Sequence, residues 1–150
     1  MKTIYCANSE ATAKLGRALG AVLGAGDVVC LRGELGAGKT LFAKGIALAQ
    51  GVAEAEVTSP TFAIMNIYQG RELELRHFDL YRLNSGEELE DIGFEEYVGG
   101  SGLTLIEWAE LFPAYLPEEF LQVTIEVAAV GRQIVLEPQG RHYEELCEKV

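Results

Sequence analysis

The apolar residues of this chain follow two rhythms. Residues 27–31 (Asp-Val-Val-Cys-Leu) and 103–106 (Leu-Thr-Leu-Ile) are short, nearly unbroken apolar runs, the pattern of strands covered on both faces. Elsewhere the spacing lengthens to three and four. Leu15, Leu19, Val22 and Leu23 share one face of a helix that Ser9 is placed to cap and that Gly24-Ala25-Gly26 closes. Good helix formers fill 41–50, with Phe42, Ile46 and Ala49 on one face and Gly51 positioned to end the helix. Residues 63–68 and 72–78 read as a strand pair around Gln69-Gly70-Arg71, and 121–127 with 133–136 as a second pair around Gly131-Arg132. Ser85-Gly86-Glu87-Glu88 has the spacing of a capping box. It opens an acidic helix, with Leu89, Ile92 and Tyr97 for packing, that runs to Gly99-Gly100. A short helix over 143–149 ends the series. Strands interspersed with helices predict a layered α/β domain, and the two hairpins predict a mixed parallel and antiparallel sheet. No linker, repeat or low-complexity segment interrupts the chain, so one domain over 1–150 is expected.

Between the first strand and the helix that follows lies Gly33-Glu34-Leu35-Gly36-Ala37-Gly38-Lys39-Thr40, a full match to the phosphate-binding P-loop pattern. Each part of the pattern has a phosphate-related role. Glycines let successive N–H groups point inward at phosphate oxygens. Lys39 reaches the β- and γ-phosphates, and the Thr40 hydroxyl can ligate Mg²⁺. The helix that begins near Leu41 sets its positive end against the same anion. Strand, glycine loop and helix together predict a nucleoside-phosphate site in a three-layer domain of the P-loop NTPase type.

Composition narrows the classes. The chain has 150 residues, 49% of them hydrophobic, enough for an ordinary core. No run approaches the roughly 20 apolar residues of a membrane span, and the first residues lack the apolar stretch of a signal peptide. Three cysteines, Cys6, Cys30 and Cys147, form no C-x-x-C pair, and Cys30 is expected to pack as a small apolar residue. A reduced, cytoplasmic protein is the simplest expectation. The net charge of −11, with five lysines and seven arginines scattered along the chain, argues against a surface that grips a nucleic-acid backbone. Any role in RNA chemistry is expected to run through a protein partner. His77 and His142 are too few and too far apart in sequence for a zinc site, and no nucleophile elbow is present.

A P-loop enzyme needs a further acid on the magnesium side and a group that orients the attacking water or hydroxyl. Glu107 follows the run 103–106 directly, so it is expected at the carboxyl edge of the sheet, where ligands bind. Asp79, in His77-Phe78-Asp79-Leu80-Tyr81-Arg82, is a second acid at a strand exit. Thr58-Ser59-Pro60-Thr61-Phe62 offers hydroxyls in a Pro-stiffened loop, as a γ-phosphate switch would, though a plain connection fits equally well. Trp108, the single tryptophan, suits either the core or the nucleotide pocket. The acidic residues between Glu87 and Glu96 read as a solvated face or, as the lesser alternative, a dock for a basic partner. These residues suit an ATPase. They leave open a P-loop small-molecule kinase, for which Arg76 and Arg82 are the candidate lid arginines, and a GTP switch is disfavoured because no N-K-x-D motif is present.

Taken together, GELGAGKT, TSPTF, HFDLYRL with EEL and GFEEY, LIEWAE and a late LP pair resemble the TsaE (YjeE) family in order and spacing from about the first helix to Pro117. The resemblance implies a small P-loop ATPase with a mixed sheet, required for threonylcarbamoyladenosine formation in tRNA. It implies binding of ATP or ADP with Mg²⁺, slow hydrolysis, and action on a TsaD–TsaB pair, with tRNA contacted only indirectly. It further implies that Gly33, Glu34, Leu35, Gly36, Ala37, Gly38, Lys39, Thr40 and Leu41 hold the phosphates. Thr40 and Glu107 would serve the metal, with Glu107 as the Walker B acid. Asp79 would be the other essential acid beside metal and water, Thr61 a switch-like residue, and Trp108 a neighbour of the nucleotide. Arg132, in a late Gly-Arg pair, is assigned to the base side.

Overall fold

The computed structural model describes residues 1–34, 36–57 and 64–150. Within them the chain forms one seven-stranded sheet, ordered β1-β7-β6-β2-β5-β4-β3. The strands are β1 (Lys2–Cys6), β2 (Val28–Arg32), β3 (Met65–Gln69), β4 (Glu74–Asp79), β5 (Leu103–Glu107), β6 (Phe120–Val127) and β7 (Arg132–Gln139). The inner strands β6, β2, β5 and β4 run parallel, whereas β3, β7 and β1 each pair antiparallel with a neighbour. The mixed α/β sheet anticipated from the two hairpins is therefore present. The helices are α1 (Ser9–Val22), α2 (Lys39–Ala49), α3 (Gly86–Asp91), α4 (Phe94–Tyr97) and α5 (Arg141–Cys147).

The central strands show why their sequences lack alternation. Val28 to Leu31 of β2 are all buried because both sheet faces are covered. Successive side chains point to opposite faces, and the core divides accordingly. Val29, Leu31, Leu75, Leu103 and Leu105 pack on the side of α1 and α2 with Leu19, Phe42 and Ile46. Val28, Cys30, Phe78 and Ile106 pack on the other side with Leu89 and Phe94 of the short helices. Cys30 is fully buried as expected, and burial, helped by nearby Glu110, pushes its thiol up to about 12.

Several boundaries differ from the sequence reading for identifiable reasons. The helix cap is Asn8, whose side chain accepts the Ala11 N–H at 2.8 Å, and Ser9 is the first helical residue. β1 turns only Ile4 and Cys6 toward the core, too short a pattern to signal a strand by itself; pairing with β7 and a 2.5 Å hydrogen bond from the Tyr5 hydroxyl to the Val130 carbonyl help hold it in place. The acidic helix is two short helices, broken where Gly93 takes φ +74°. Its capping box is not formed: Ser85 makes no side-chain cap bond, and the Glu88 carboxylate accepts the Asn84 N–H instead, at 2.7 Å. The expected strand at 63–68 starts at Met65, and Ala63 lies outside the described residues.

The P-loop helix α2 is seated by backbone contact with α1. A Cβ at Gly45 would stand 2.6 Å from the Ala13 carbonyl oxygen, and one at Gly20 would stand 2.7 Å from that of Ile46. Gly45→Ala is therefore expected to force the helices apart and lower the unfolding free energy by about 1–3 kcal/mol, even though alanine is the better helix former by about 1 kcal/mol. Urea denaturation measures this. Gly24→Ala, where a Cβ would meet nothing within 4 Å, serves as the unchanged control.

Candidate functional site

The sheet order brings three carboxyl ends together. β5 lies between β2 and β4, with Glu107 beside Leu31 on one side and Asp79 on the other. The pleat then aligns the side chains. Leu105 and Glu107 share a face of β5, and Leu75, His77 and Asp79 share a face of β4, in both cases the face against which α2 packs. Both predicted acids thus emerge beside the loop that follows β2. Asp79 is fixed further by its backbone N–H, donated to the Ile64 carbonyl at 2.8 Å, and the Leu80 N–H reaches the Glu107 carbonyl at 3.1 Å.

The loop itself turns sharply. Gly36 and Gly38 take φ values of +80° and +117°, which an L side chain would resist, and the Ala37 N–H closes on the Glu34 carbonyl at 3.0 Å. Gly33 passes so near β6 that a Cβ there would lie 2.8 Å from the Ile125 carbonyl oxygen. Helix α2 begins at Lys39, with Gly38 as its N-cap and no side-chain cap bond. Gly36, Gly38, Lys39, Thr40, Leu41, Lys44, Asp79, Glu107 and Trp108 line one cavity of about 460 Å³. Of the remaining sequence-predicted site residues, Leu35 and Thr61, with the rest of 58–63, lie outside the described residues.

Lys39 is the chemical centre of this cavity. Its ammonium is buried, has no hydrogen-bond partner, and sits 3.7 Å from the centroid of the Trp108 ring. Burial lowers its pKa, while Glu107, Glu110 and Asp79 act in the opposite sense by favouring the charged form. Trp108 reaches this position through a left-handed backbone, φ 65°, the only such non-glycine value among the described residues. Tyr81 packs on the indole, the ring centroids 4.8 Å apart. Trp108 thus lines the cavity and, partly buried, also packs against the core cluster of Phe78, Ile106 and Ala109. Asp79 accepts the Tyr81 N–H at 3.0 Å. Its pKa is raised, first by burial and also by Glu107; the Tyr81 hydrogen bond, His77 and Lys39 oppose the shift.

Two features had no counterpart in the sequence reading. His77, buried on β4, places Nε2 2.6 Å from Oε2 of Glu107. The His-x-Asp spacing on a strand is the signal that could have found it, since residues two apart share a face. Arg132 braces the loop from its far side: Nε donates to the Ala37 carbonyl at 2.7 Å and Nη2 to that of Gly36 at 3.5 Å. A second cavity, of about 220 Å³, opens there between Asn8, Ser9, Thr12, Gly38, Leu41 and Arg132. Arg76, a lid candidate on the kinase reading, is buried near the opposite face, bonded to Glu74 at 2.8 Å and to the Tyr97 carbonyl at 2.9 Å. Arg82 is exposed beyond β4.

Comparison with known proteins identifies the family and the fold. A family model described as "Threonylcarbamoyl adenosine biosynthesis protein TsaE" matches residues 6–134. A tRNA threonylcarbamoyladenosine biosynthesis protein TsaE from Bacillus subtilis is 42% identical over 144 residues, covering 95% of this chain and 89% of the relative. One from Treponema pallidum is 45% identical over 126 residues, covering 84% and 92%. The crystal structure of Bacillus subtilis YdiB superposes with a TM-score of 0.82 at 36% identity, covering 99% of this chain and 92% of that one. The family model spans most of the chain and both relatives are more than 40% identical over most of it, so the chain belongs to the TsaE family.

Proposed function

We propose that this protein binds ATP with Mg²⁺ and hydrolyses it slowly in the service of tRNA threonylcarbamoyladenosine formation, acting on a TsaD–TsaB pair. The observation that carries the nucleotide part is the Lys39 ammonium, buried without a hydrogen-bond acceptor in a cavity that also holds two carboxylates. A buried unpaired donor of this kind is costly, and phosphate oxygens would supply the missing acceptors. The glycine loop and the start of α2 would add N–H donors aimed at the same anion.

The donors present also fit a magnesium ion. Thr40 and Glu107 face one cavity and offer hard oxygen ligands. Among the described residues no three His, Cys, Asp or Glu side chains form a cage, which suits an ion that takes most of its remaining ligands from phosphates and water. When bound, Mg²⁺ would neutralise charge on the phosphates. Lys39 and the loop amides would stabilise charge on the transferring group, and Asp79 would orient the attacking water. Leu41, Gly33, Glu34, Gly36 and Ala37 would shape the cradle, as would Leu35, and Thr61 is proposed as its switch. Arg132 would serve the base side indirectly, by holding the loop and walling the 220 Å³ cavity where ribose or base could extend.

The net charge of −11 supports delegation of tRNA contact to the protein partners. No helix among the described residues is long and apolar enough to cross a membrane.

Lys39→Ala is expected to lower phosphate release by roughly a thousandfold, about 4 kcal/mol of transition-state stabilisation. Phosphate release should be followed with and without TsaD–TsaB; equal rates for variant and wild type with the partners present would refute the assignment. Because Trp108 is the single tryptophan and lies on Lys39, nucleotide binding is expected to change the intrinsic fluorescence, and Trp108→Phe to abolish that signal.

Asp79 yields a stability prediction. Its raised pKa means that, above the ordinary carboxylate range, the folded state holds a proton that the unfolded state has released. Its contribution to stability therefore falls as pH rises through that window. Asp79→Asn is expected to raise the melting temperature of the nucleotide-free protein at neutral pH and to flatten this decline, as read by calorimetry across pH.

A further inference from the structure

His77 has no part in the scheme above, yet it touches Glu107 directly. Both side chains are buried, at 1% and 3% exposure, and their closest atoms are 2.6 Å apart. His77 Nδ1 is also buried and has no hydrogen-bond partner. That combination settles the tautomer. A proton on Nδ1 would leave a buried N–H unsatisfied and set the Nε2 lone pair against a carboxylate oxygen. A proton on Nε2 leaves only a bare acceptor at Nδ1 and gives the carboxylate a donor. His77 therefore donates Nε2–H to Oε2 of Glu107.

The strand geometry explains how this bond is made and what it restrains. His77 is registered opposite Leu105, and Asp79 opposite Glu107, so the bond runs diagonally across β4 and β5 on one face. Glu107 stands between two pulls: the Lys39 ammonium attracts it, and Asp79 repels it. A carboxylate free to rotate there would swing toward Lys39. Anchoring Oε2 to His77 fixes the plane of the group and leaves the second oxygen for the cavity that Glu107 lines.

We propose that His77 is a positioning residue that locks the Glu107 carboxylate in the orientation needed to receive the Mg²⁺ of a bound nucleoside triphosphate. The proposal rests on the reading of the cavity as a Mg–nucleotide site. It concerns the hydrogen bond, so the contrast that matters is donor against no donor. Glutamine can place its amide nitrogen near the position of imidazole Nε2, whereas leucine fills comparable space without a donor.

The test is calorimetric titration of the whole chain with AMP-PNP, in EDTA and across a Mg²⁺ series. For His77→Leu, affinity in EDTA is expected to match wild type, while the gain in affinity brought by Mg²⁺ falls by about 10–100-fold, the usual effect of removing an outer-shell partner. His77→Gln is expected to retain most of that gain. A folded His77→Leu with the wild-type gain, or a glutamine variant as impaired as the leucine one, would overturn the proposal. If His77→Leu does not fold, His77→Asn replaces it, because its shorter amide mimics Nδ1 and misses Glu107. Glutamine retaining the gain and asparagine losing it supports the proposal; equal behaviour refutes it. Wild-type protein that binds AMP-PNP without any Mg²⁺ dependence would remove the Mg–nucleotide reading itself, a failure distinguishable because it precedes any variant.

Discussion

An ammonium held out of water without a hydrogen-bond acceptor is the constraint around which this structure is organised. Lys39 is in that position because it is the first residue of α2, and α2 is pressed onto α1 by glycine contacts that leave it little freedom to shift. Its charge is favoured in part by an indole face and in part by three carboxylates, none of which hydrogen-bonds it. Asp79 bears a strain of its own, pushed toward its protonated form first by burial and then by Glu107. Phosphate would relieve the lysine by supplying acceptors, and a divalent cation would relieve the acids. A ligand carrying both charges, as proposed above, would serve the lysine and Asp79 together. Sites that trade stability for pre-organisation in this way are the expected places for such frustration.

The sheet order turns this local chemistry into a necessity of topology. Glu107 and Asp79 are 28 residues apart in sequence, yet parallel pairing of β4 with β5 places them side by side. The alternation of each strand puts them on the face of α2. A one-residue slip of β4 would exchange His77 and Asp79 for Arg76 and Phe78, removing an acid and a hydrogen-bond donor from the site together. Leu75 and Leu105 are fully covered on that face, and Phe78 and Ile106 on the other, so hydrophobic packing enforces the register on which the polar groups depend.

This also explains what could be read from the sequence. β2 and β5 were legible because burial on both faces forces continuous apolar runs, and the P-loop because its glycines are required by backbone angles as well as by phosphate. Glu107 was legible because it terminates such a run, and Asp79 because it stands at the exit of a strand read from its hairpin. β1 was not, since only Ile4 and Cys6 turn inward and its place comes from pairing with a strand more than a hundred residues away. The helix break at Gly93 was hidden because an isolated glycine within helix-forming sequence signals weakness, and only tertiary packing decides whether it becomes a turn. The His77–Glu107 bond was hidden for the same reason as β1: it depends on which strands are neighbours.

Trp108 shows how such non-local decisions reach the chemistry. Its left-handed backbone costs on the order of 1 kcal/mol or more, and nothing in the neighbouring sequence demands that conformation. The demand comes from both ends. β5 must deliver Glu107 to the cavity, and the 3-10 turn Ala109–Leu111 must begin at once, with Ala109 buried in the opposite core cluster. The residue between them absorbs the change of direction, and its indole is thereby carried over Lys39 and against Tyr81. That indole is also a wall shared with a neighbouring cavity of about 400 Å³, lined by Arg32, Glu34, Glu110 and Val127 among others. The strain is thus tied to the placement of Lys39, and Trp108 lines both cavities.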